Sequence, residues 1–156
     1  MLRYNLDKKG NKKCDGNKGM IRKNIKHMNN EEVVYIKNMI KNIKWLNISK
    51  HAQEKQLLNV MEIKKIIADK KYQIIDYDYY INNSEERVML RTKTKYNIKN
   101  HNGKIEECYC KIVISLTTHS IITIWANKVV DEEHKQDNLT NRYYEKFDII
   151  NKRVKF

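Results

Sequence analysis

Apolar residues in the first third of the chain recur at the spacing of an α-helix. From Asn29 onward they are separated by three or four positions, which places them on one helical face. Asn30 can cap this helix, and Glu31 and Glu32 suit the positive end of its dipole. The apolar face consists of Val33, Ile36, Ile40 and Ile43. The pattern therefore predicts a first helix that begins near Asn30.

A second helical pattern extends from His51 to about Lys70. Its apolar residues fit either one helix or two short helices that are broken near Asn59. The apolar residues at 45–48 indicate a short strand or an extended turn before it. This part of the chain is thus predicted to be mainly helical.

After Lys70 the pattern changes to that of β-strands. Runs rich in Ile, Val, Thr and Tyr occupy residues 72–81, 87–98, 105–116 and 121–127, and turn-forming residues separate them. Helices followed by consecutive strands predict an α+β domain, with N-terminal helices packed on a curved antiparallel sheet of about four strands. The other face of that sheet is half polar, so we expect a ligand site there.

The positive charge is unevenly distributed along the chain. The formal net charge is +13, and residues 1–28 hold nine basic but only two acidic residues. These residues lack an apolar period, which predicts a flexible basic arm before a single domain over residues 29–156. A short helix is predicted over residues 139–147. The excess of positive charge favours a polyanionic partner such as RNA.

Several classes of protein are disfavoured by the composition. No apolar run approaches the roughly 20 residues of a transmembrane helix, and the polar N-terminus lacks a signal-peptide core, so we expect a cytoplasmic protein without a membrane partner. Cys108 and Cys110 share one face of a strand and are interpreted as buried thiols. No metal site or cofactor is predicted, because neither metal-ligand spacing nor a Gly-rich phosphate loop is present.

Two segments of the chain are similar to a known family. Residues 49–55 read Ser-Lys-His-Ala-Gln-Glu-Lys, and residues 121–125 read Ile-Ile-Thr-Ile-Trp. The chain over about 45–127 resembles the small DUF4258-type domains, which belong to the barnase, EndoU, colicin E5 and RelE-like ribonuclease fold group. In those domains a Ser-x-His-Ala-x-x-Arg element precedes a helix and a curved sheet. Here Lys55 and Asn59 stand where the family has arginines, and lysine lacks the bidentate fork of arginine.

The resemblance implies metal-independent cleavage of RNA. In this interpretation His51 transfers a proton, while Lys55 and Arg91 stabilise the charge on the scissile phosphate. The alternative for His51 is a structural role as a helix cap. Lys55, Arg91 and Lys93 can equally belong to a solvated face.

A wider set of residues is predicted to bind RNA. Arg91 and Lys93 are two apart in a predicted strand and are expected on one sheet face. Thr123 and Trp125 also share a face, which is either core or a base-stacking surface, and we favour the core for Trp125. The predicted RNA-binding residues are Lys50, Lys93, Thr123, Trp125, Arg142 and Tyr144.

Three functional hypotheses follow from these observations. The first is a small ribonuclease of the toxin type that acts on RNA and has a protein antitoxin or inhibitor as a partner. The second is a non-catalytic protein of a phage or mobile element that binds RNA or a ribonucleoprotein and blocks it, as an anti-defence protein does. The third is an interaction protein whose target is another protein.

Overall fold

The computed structural model describes residues 19–55, 57–130 and 145–154. The helices are α1 (Asn30–Lys41), α2 (Lys50–Lys55) and α3 (Val60–Ala68). The strands are β1 (Met20–Asn24), β2 (Asn47–Ile48), β3 (Tyr72–Tyr80), β4 (Glu85–Lys99), β5 (Ile105–Ser115), β6 (Ser120–Lys128), β7 (Phe147–Asp148) and β8 (Arg153–Val154).

The main sheet differs from the prediction in the number and direction of its strands. Its strand order is β1-β3-β4-β5-β6-β2. The four predicted strands form the antiparallel meander from β3 to β6, but β1 is added at one edge and β2 pairs in parallel with β6 at the other. The predicted α+β arrangement of helices on an antiparallel sheet of about four strands is therefore wrong. The described chain is mostly sheet, and its main sheet is six-stranded and mixed.

β1 comes from a segment that was expected in the basic arm. Residues 20–24 pair antiparallel with β3, and three of their five side chains are buried. Arg22 and Lys23 interrupt the apolar pattern, so the alternation that is typical of a strand is absent from the sequence. The arm predicted for residues 1–28 thus does not extend over β1. Residues 1–18 lie outside the described part of the chain.

Asparagine caps determine where α1 and α3 begin. The side chain of Asn29, one residue before the predicted cap, accepts a hydrogen bond from the N–H of Glu32 (2.8 Å), and the carboxylate of Glu32 accepts one from the N–H of Asn29 (3.0 Å). Asn59 and Glu62 form the same reciprocal capping box before α3. The second box begins α3 as a helix separate from α2. The second helical pattern of the sequence therefore corresponds to two short helices and not to one.

The helices pack on one face of the six-stranded sheet. Alternate residues of the central strands point to this face, among them Leu90, Ile112 and Ile124, all fully buried. The helices contribute Ile36 and Ile40 of α1, Ala52 of α2 and Ile63 of α3 to the same hydrophobic cluster. The opposite face of the sheet, which we call the second face, carries the residues between these core positions.

The hairpin of β7 and β8 packs against the core through an aromatic ring. Phe147 is fully buried and stacks on Tyr77 and Tyr79 of β3, with ring centroids 6.2 and 5.8 Å apart. Phe147 belongs to a strand and not to the helix predicted over residues 139–147, most of which lies outside the described residues.

The buried carboxylate of Glu32 joins three separate parts of the chain. It is only 1% exposed and accepts two hydrogen bonds from the ammonium group of Lys23 in β1 (2.8 and 3.0 Å). It also accepts hydrogen bonds from the N–H groups of Asn29 (3.0 Å) and Ile149 (2.9 Å). The Lys23 ammonium group donates a further bond to the carbonyl oxygen of Phe147 (2.7 Å). The carboxylate therefore holds β1, α1 and the C-terminal hairpin together.

A second buried carboxylate, that of Glu86, lies nearby on β4. It accepts hydrogen bonds from the hydroxyl groups of Tyr35 and Tyr77, each 2.7 Å long, and the ammonium group of Lys152 lies 3.0 Å away. Burial and the negative charge of Glu86 raise the pKa of both tyrosines. Both phenols therefore stay protonated and keep donating to the carboxylate.

Replacing Glu32 should destabilise the fold strongly. Glu32→Gln leaves the buried Lys23 ammonium group without its counter-charge, which typically costs about 3–5 kcal/mol. Glu31→Gln, one residue away and exposed, should lower the free energy of unfolding by less than about 1 kcal/mol. Urea denaturation of both variants measures the difference. Equal stability of the two variants would show that the buried ion pair does not hold the three segments together.

The two core cysteines should react slowly in the native protein. Cys108 and Cys110 are both buried, and burial raises the pKa of the Cys110 thiol to about 11. In a Cys14→Ser variant we expect thiol-specific reagents at neutral pH to modify these two thiols roughly a hundredfold more slowly than free cysteine. Both thiols should react rapidly in urea, because unfolding exposes them. Rapid modification of the native variant would contradict the position of these strand residues in the core.

Candidate nucleic-acid interface

A row of polar and aromatic side chains crosses the second face at one level. Gln73 of β3 lies opposite Arg91 of β4, Arg91 lies opposite Lys111 of β5, and Lys111 lies opposite Trp125 of β6. Directly opposed residues point to the same face, and neighbouring strands are about 4.8 Å apart. The row therefore places two cations beside an indole ring.

An aromatic ring from the next level packs against this row. The guanidinium carbon of Arg91 lies 5.1 Å from the ring centroid of Tyr109, within the range of a cation–π interaction. Arg91 also donates a hydrogen bond to the side-chain oxygen of Gln73. These contacts orient the guanidinium group on the second face.

Thr123 and Trp125 lie on the second face and not in the core. Thr123 pairs with Val113 one level away, and both Thr123 and Trp125 are partly exposed. Neither residue belongs to the hydrophobic cluster. Trp125 therefore does not occupy the core position that we favoured for it. We define the second-face site as Arg91, Tyr109, Lys111, Thr123 and Trp125.

Charges at the β1–β3 end of the second face are paired with one another. Arg22 forms a two-pronged ion pair with Asp78 (2.7 and 3.1 Å), and Arg87 forms one with Glu85 (2.9 and 3.1 Å). Burial opposes ionisation of Glu85, but hydrogen bonds from Arg87 and other neighbours outweigh burial and lower its pKa. Burial raises the pKa of Asp76 in the same region, and the positive charge of Lys111 partly offsets this increase.

A β-bulge separates Lys93 from Arg91. The register between β4 and β5 shifts after Arg91, so that Lys95 is the next residue of β4 to oppose β5. The N–H of Lys93 donates to the carbonyl oxygen of Lys71 (3.0 Å), and Lys93 is among the residues that line a cavity beside α1 and α3. The regular alternation on which the expectation of one shared face for Arg91 and Lys93 rested is therefore broken between these two residues.

The predicted catalytic histidine lies on α2, beside the edge of the sheet. His51, Lys50 and Lys55 are all exposed, and α2 packs against β6. Ser49 fixes this junction, because its hydroxyl accepts a hydrogen bond from the N–H of Ala52 (3.0 Å) and donates one to the carbonyl oxygen of Ile122 (2.8 Å). Ser49 and not His51 is thus the side-chain cap of α2.

The structure does not bring all three predicted catalytic residues into contact. His51 and Lys55 are one turn apart on α2, next to β6. Arg91 lies on β4, and β5 separates β4 from β6, which corresponds to about 10 Å between their backbones. Arg91 therefore groups with Thr123 and Trp125 on the second face. Arg142 and Tyr144 lie outside the described residues.

Tyr109 and Lys111 were not among the residues predicted to bind RNA. Their signal was present in the sequence, because strict alternation around the buried pair Cys108 and Cys110 places the intervening residues on the opposite face. Their importance depends on the partners that oppose them on β4 and β6, and a single strand does not reveal those partners.

Two kinds of feature are absent from the described ranges. Among residues 19–55, 57–130 and 145–154, no group of three or more His, Cys, Asp and Glu side chains is placed to hold a metal ion. In the same ranges no helix combines the length and hydrophobicity needed to cross a membrane.

Comparison with protein-family models, with curated proteins and with solved structures found no match to this chain.

Proposed function

We propose that this protein binds single-stranded RNA on its second face. The observation that supports this proposal most directly is the row in which Arg91, Lys111 and Trp125 lie side by side on adjacent strands, with Tyr109 against Arg91. Cations of this kind bind backbone phosphates, and flat aromatic rings stack with unpaired bases. None of these four residues is acidic, and the charges of Arg91 and Lys111 favour a polyanion.

The arrangement favours a single strand over a duplex. The bases of a duplex are stacked on one another and are not available to Tyr109 or Trp125. A single strand that crosses β4, β5 and β6 can place its phosphates near Arg91 and Lys111 while a base stacks on Trp125. Each such stacked base typically contributes about 1–3 kcal/mol.

The binding proposal predicts different effects for two kinds of substitution. Trp125→Ala should weaken the binding of a labelled single strand of about 12 nucleotides by about 1–3 kcal/mol, because a stacking partner is lost. Lys111→Gln should weaken binding and also make the salt dependence shallower by about one ion. Fluorescence anisotropy at several salt concentrations measures both effects.

The matched control is Lys104→Gln, which removes an exposed lysine in the β4–β5 turn. It changes the net charge as Lys111→Gln does, yet it should leave the affinity nearly unchanged. Equal losses for Lys111→Gln and Lys104→Gln would point to general charge attraction and would overturn the second-face site.

Metal-independent RNA cleavage at His51 is the second candidate function. The observation that favours it is the exposed pair His51 and Lys55 on α2, which Ser49 anchors to the strand that carries Thr123 and Trp125. In this reaction the imidazole of His51 takes the proton of a ribose 2'-hydroxyl, and the oxygen attacks the adjacent phosphorus. The bond to the 5'-oxygen breaks, that oxygen takes a proton from water or an acid, and a cyclic phosphate remains. The Lys55 ammonium group stabilises the added negative charge.

Cleavage should persist in EDTA and depend on His51. His51→Ala should lower the rate of cleavage at least about a hundredfold, the usual contribution of a general base or acid. His101→Ala removes another exposed histidine, in the β4–β5 turn, and should leave the rate unchanged. Gel analysis of total RNA incubated with each purified variant provides the measurement. A rate that is the same in His51→Ala and the unmodified protein would exclude this mechanism.

Binding without cleavage would instead favour the non-catalytic hypothesis. In that case the protein holds RNA or a ribonucleoprotein and blocks it, as expected for an inhibitor from a phage or mobile element. Lys55 supports this alternative, since lysine lacks the bidentate phosphate contact of the arginine found in DUF4258-type domains. Restoring the arginine with Lys55→Arg distinguishes a weakened enzyme, which should gain activity, from a binding protein, which should not.

A further inference from the structure

A cavity of about 760 Å³ lies on the helical side of the sheet, away from the second-face site. It is bounded by α1, by the segment that follows α1, by α3 and by the start of β3. Its volume falls within the range of about 300–1,000 Å³ that is typical of sites for small molecules. The cavity is therefore large enough for a ligand of nucleotide size.

Lysine residues from five parts of the chain line this cavity. They are Lys37, Lys41, Lys44, Lys64, Lys70 and Lys93. No acidic residue is among the described residues that line it, and within the described chain none of the six ammonium groups forms an ion pair. We call this feature the lysine cavity. Six like charges around one concavity repel one another, and a multivalent anion would relieve that repulsion.

The six lysines are exposed, but they do not all belong to one helix face. Lys37 and Lys41 are one turn apart on α1, and Lys64 faces them from α3, whereas its neighbour Lys65 is exposed but does not line the cavity. Lys93 reaches the cavity only because of the bulge in β4. The lysines that line this cavity therefore come from separate elements.

The walls of the cavity also include flat aromatic groups. Trp45 is 58% exposed and meets the ring of His119 at 68°, edge to face, with ring centroids 5.6 Å apart. Tyr72 lines the cavity as well and is partly buried, and burial raises the pKa of its hydroxyl. An exposed indole beside ammonium groups can stack a base while the lysines bind phosphates.

We propose that the lysine cavity binds a nucleoside polyphosphate, with its phosphates on the lysines and its base against Trp45. The same chemical group occurs as a free nucleotide and at the 5'-triphosphate end of an RNA chain. This proposal does not depend on RNA binding at the second face, because the two sites lie on opposite sides of the sheet and share no residue. The two tryptophans of the chain allow separate tests, since one lies at each site.

The test uses a Trp125→Phe variant, in which Trp45 is the single fluorescent indole. Titration with ATP should change the Trp45 emission in a saturable manner, and calorimetry should give the same affinity. Adenosine should bind at least about a hundredfold more weakly, because it lacks the phosphates. Inorganic tripolyphosphate should compete with ATP. The affinity should fall as the salt concentration rises.

Matched lysine variants make the test specific to the cavity. Lys64→Gln should weaken ATP binding about ten- to a hundredfold, because it removes a charge-assisted hydrogen bond, whereas Lys65→Gln should change it less than twofold. Urea denaturation checks that both variants remain folded. No saturable binding of ATP, equal binding of adenosine, or equal losses for Lys64→Gln and Lys65→Gln would each overturn the proposal.

A third set of titrations identifies the source of the ligand. Short RNAs that carry either a 5'-triphosphate or a 5'-hydroxyl are compared with ATP in the Trp125→Phe variant. Tighter binding of the triphosphate RNA than of both ATP and the 5'-hydroxyl RNA would assign the cavity to RNA ends, and binding equal to or weaker than that of ATP would assign it to free nucleotides. Equal binding of the two RNAs, with no response to ATP, would contradict recognition of a polyphosphate.

Discussion

The buried carboxylate of Glu32 is the constraint on which the assembly of this fold depends. It accepts hydrogen bonds from Lys23 of β1, from the first turn of α1 and from Ile149 of the C-terminal hairpin. β1 is an edge strand, and each strand of the C-terminal hairpin has only two residues, so neither has enough pairing of its own to be stable alone. The fully hydrogen-bonded carboxylate of Glu32 therefore holds these segments in one specific arrangement.

The buried charged side chains are clustered on one side of the protein. The networks around Glu32 and Glu86, together with the ion pair of Arg22 and Asp78, all involve β1, β3, the start of β4 or the C-terminal hairpin. The remaining parts of the sheet and helices carry the second-face site and the lysine cavity.

Residue composition predicted the central sheet, and alternation predicted part of the candidate site where the strands are regular. The four strands of the meander were located within two residues at each end, because each is nine or more residues long, rich in Ile, Val, Thr and Tyr, and bounded by turn-forming residues. Alternation also placed Thr123 and Trp125 on one face, although it did not show which face was the core. It failed for Lys93, because a bulge changes the side on which a residue emerges. β2 has only two residues, too few to show a period.

From the sequence alone follow the secondary structure of the long elements, a possible break near Asn59 and the general excess of positive charge. These properties depend on residues that lie within a few positions of one another in the chain. The tertiary structure alone decided that Arg91, Lys111 and Trp125 form a row and that six lysines surround one cavity. These residues come from segments far apart in the chain, and only strand register and helix packing bring them to the same place.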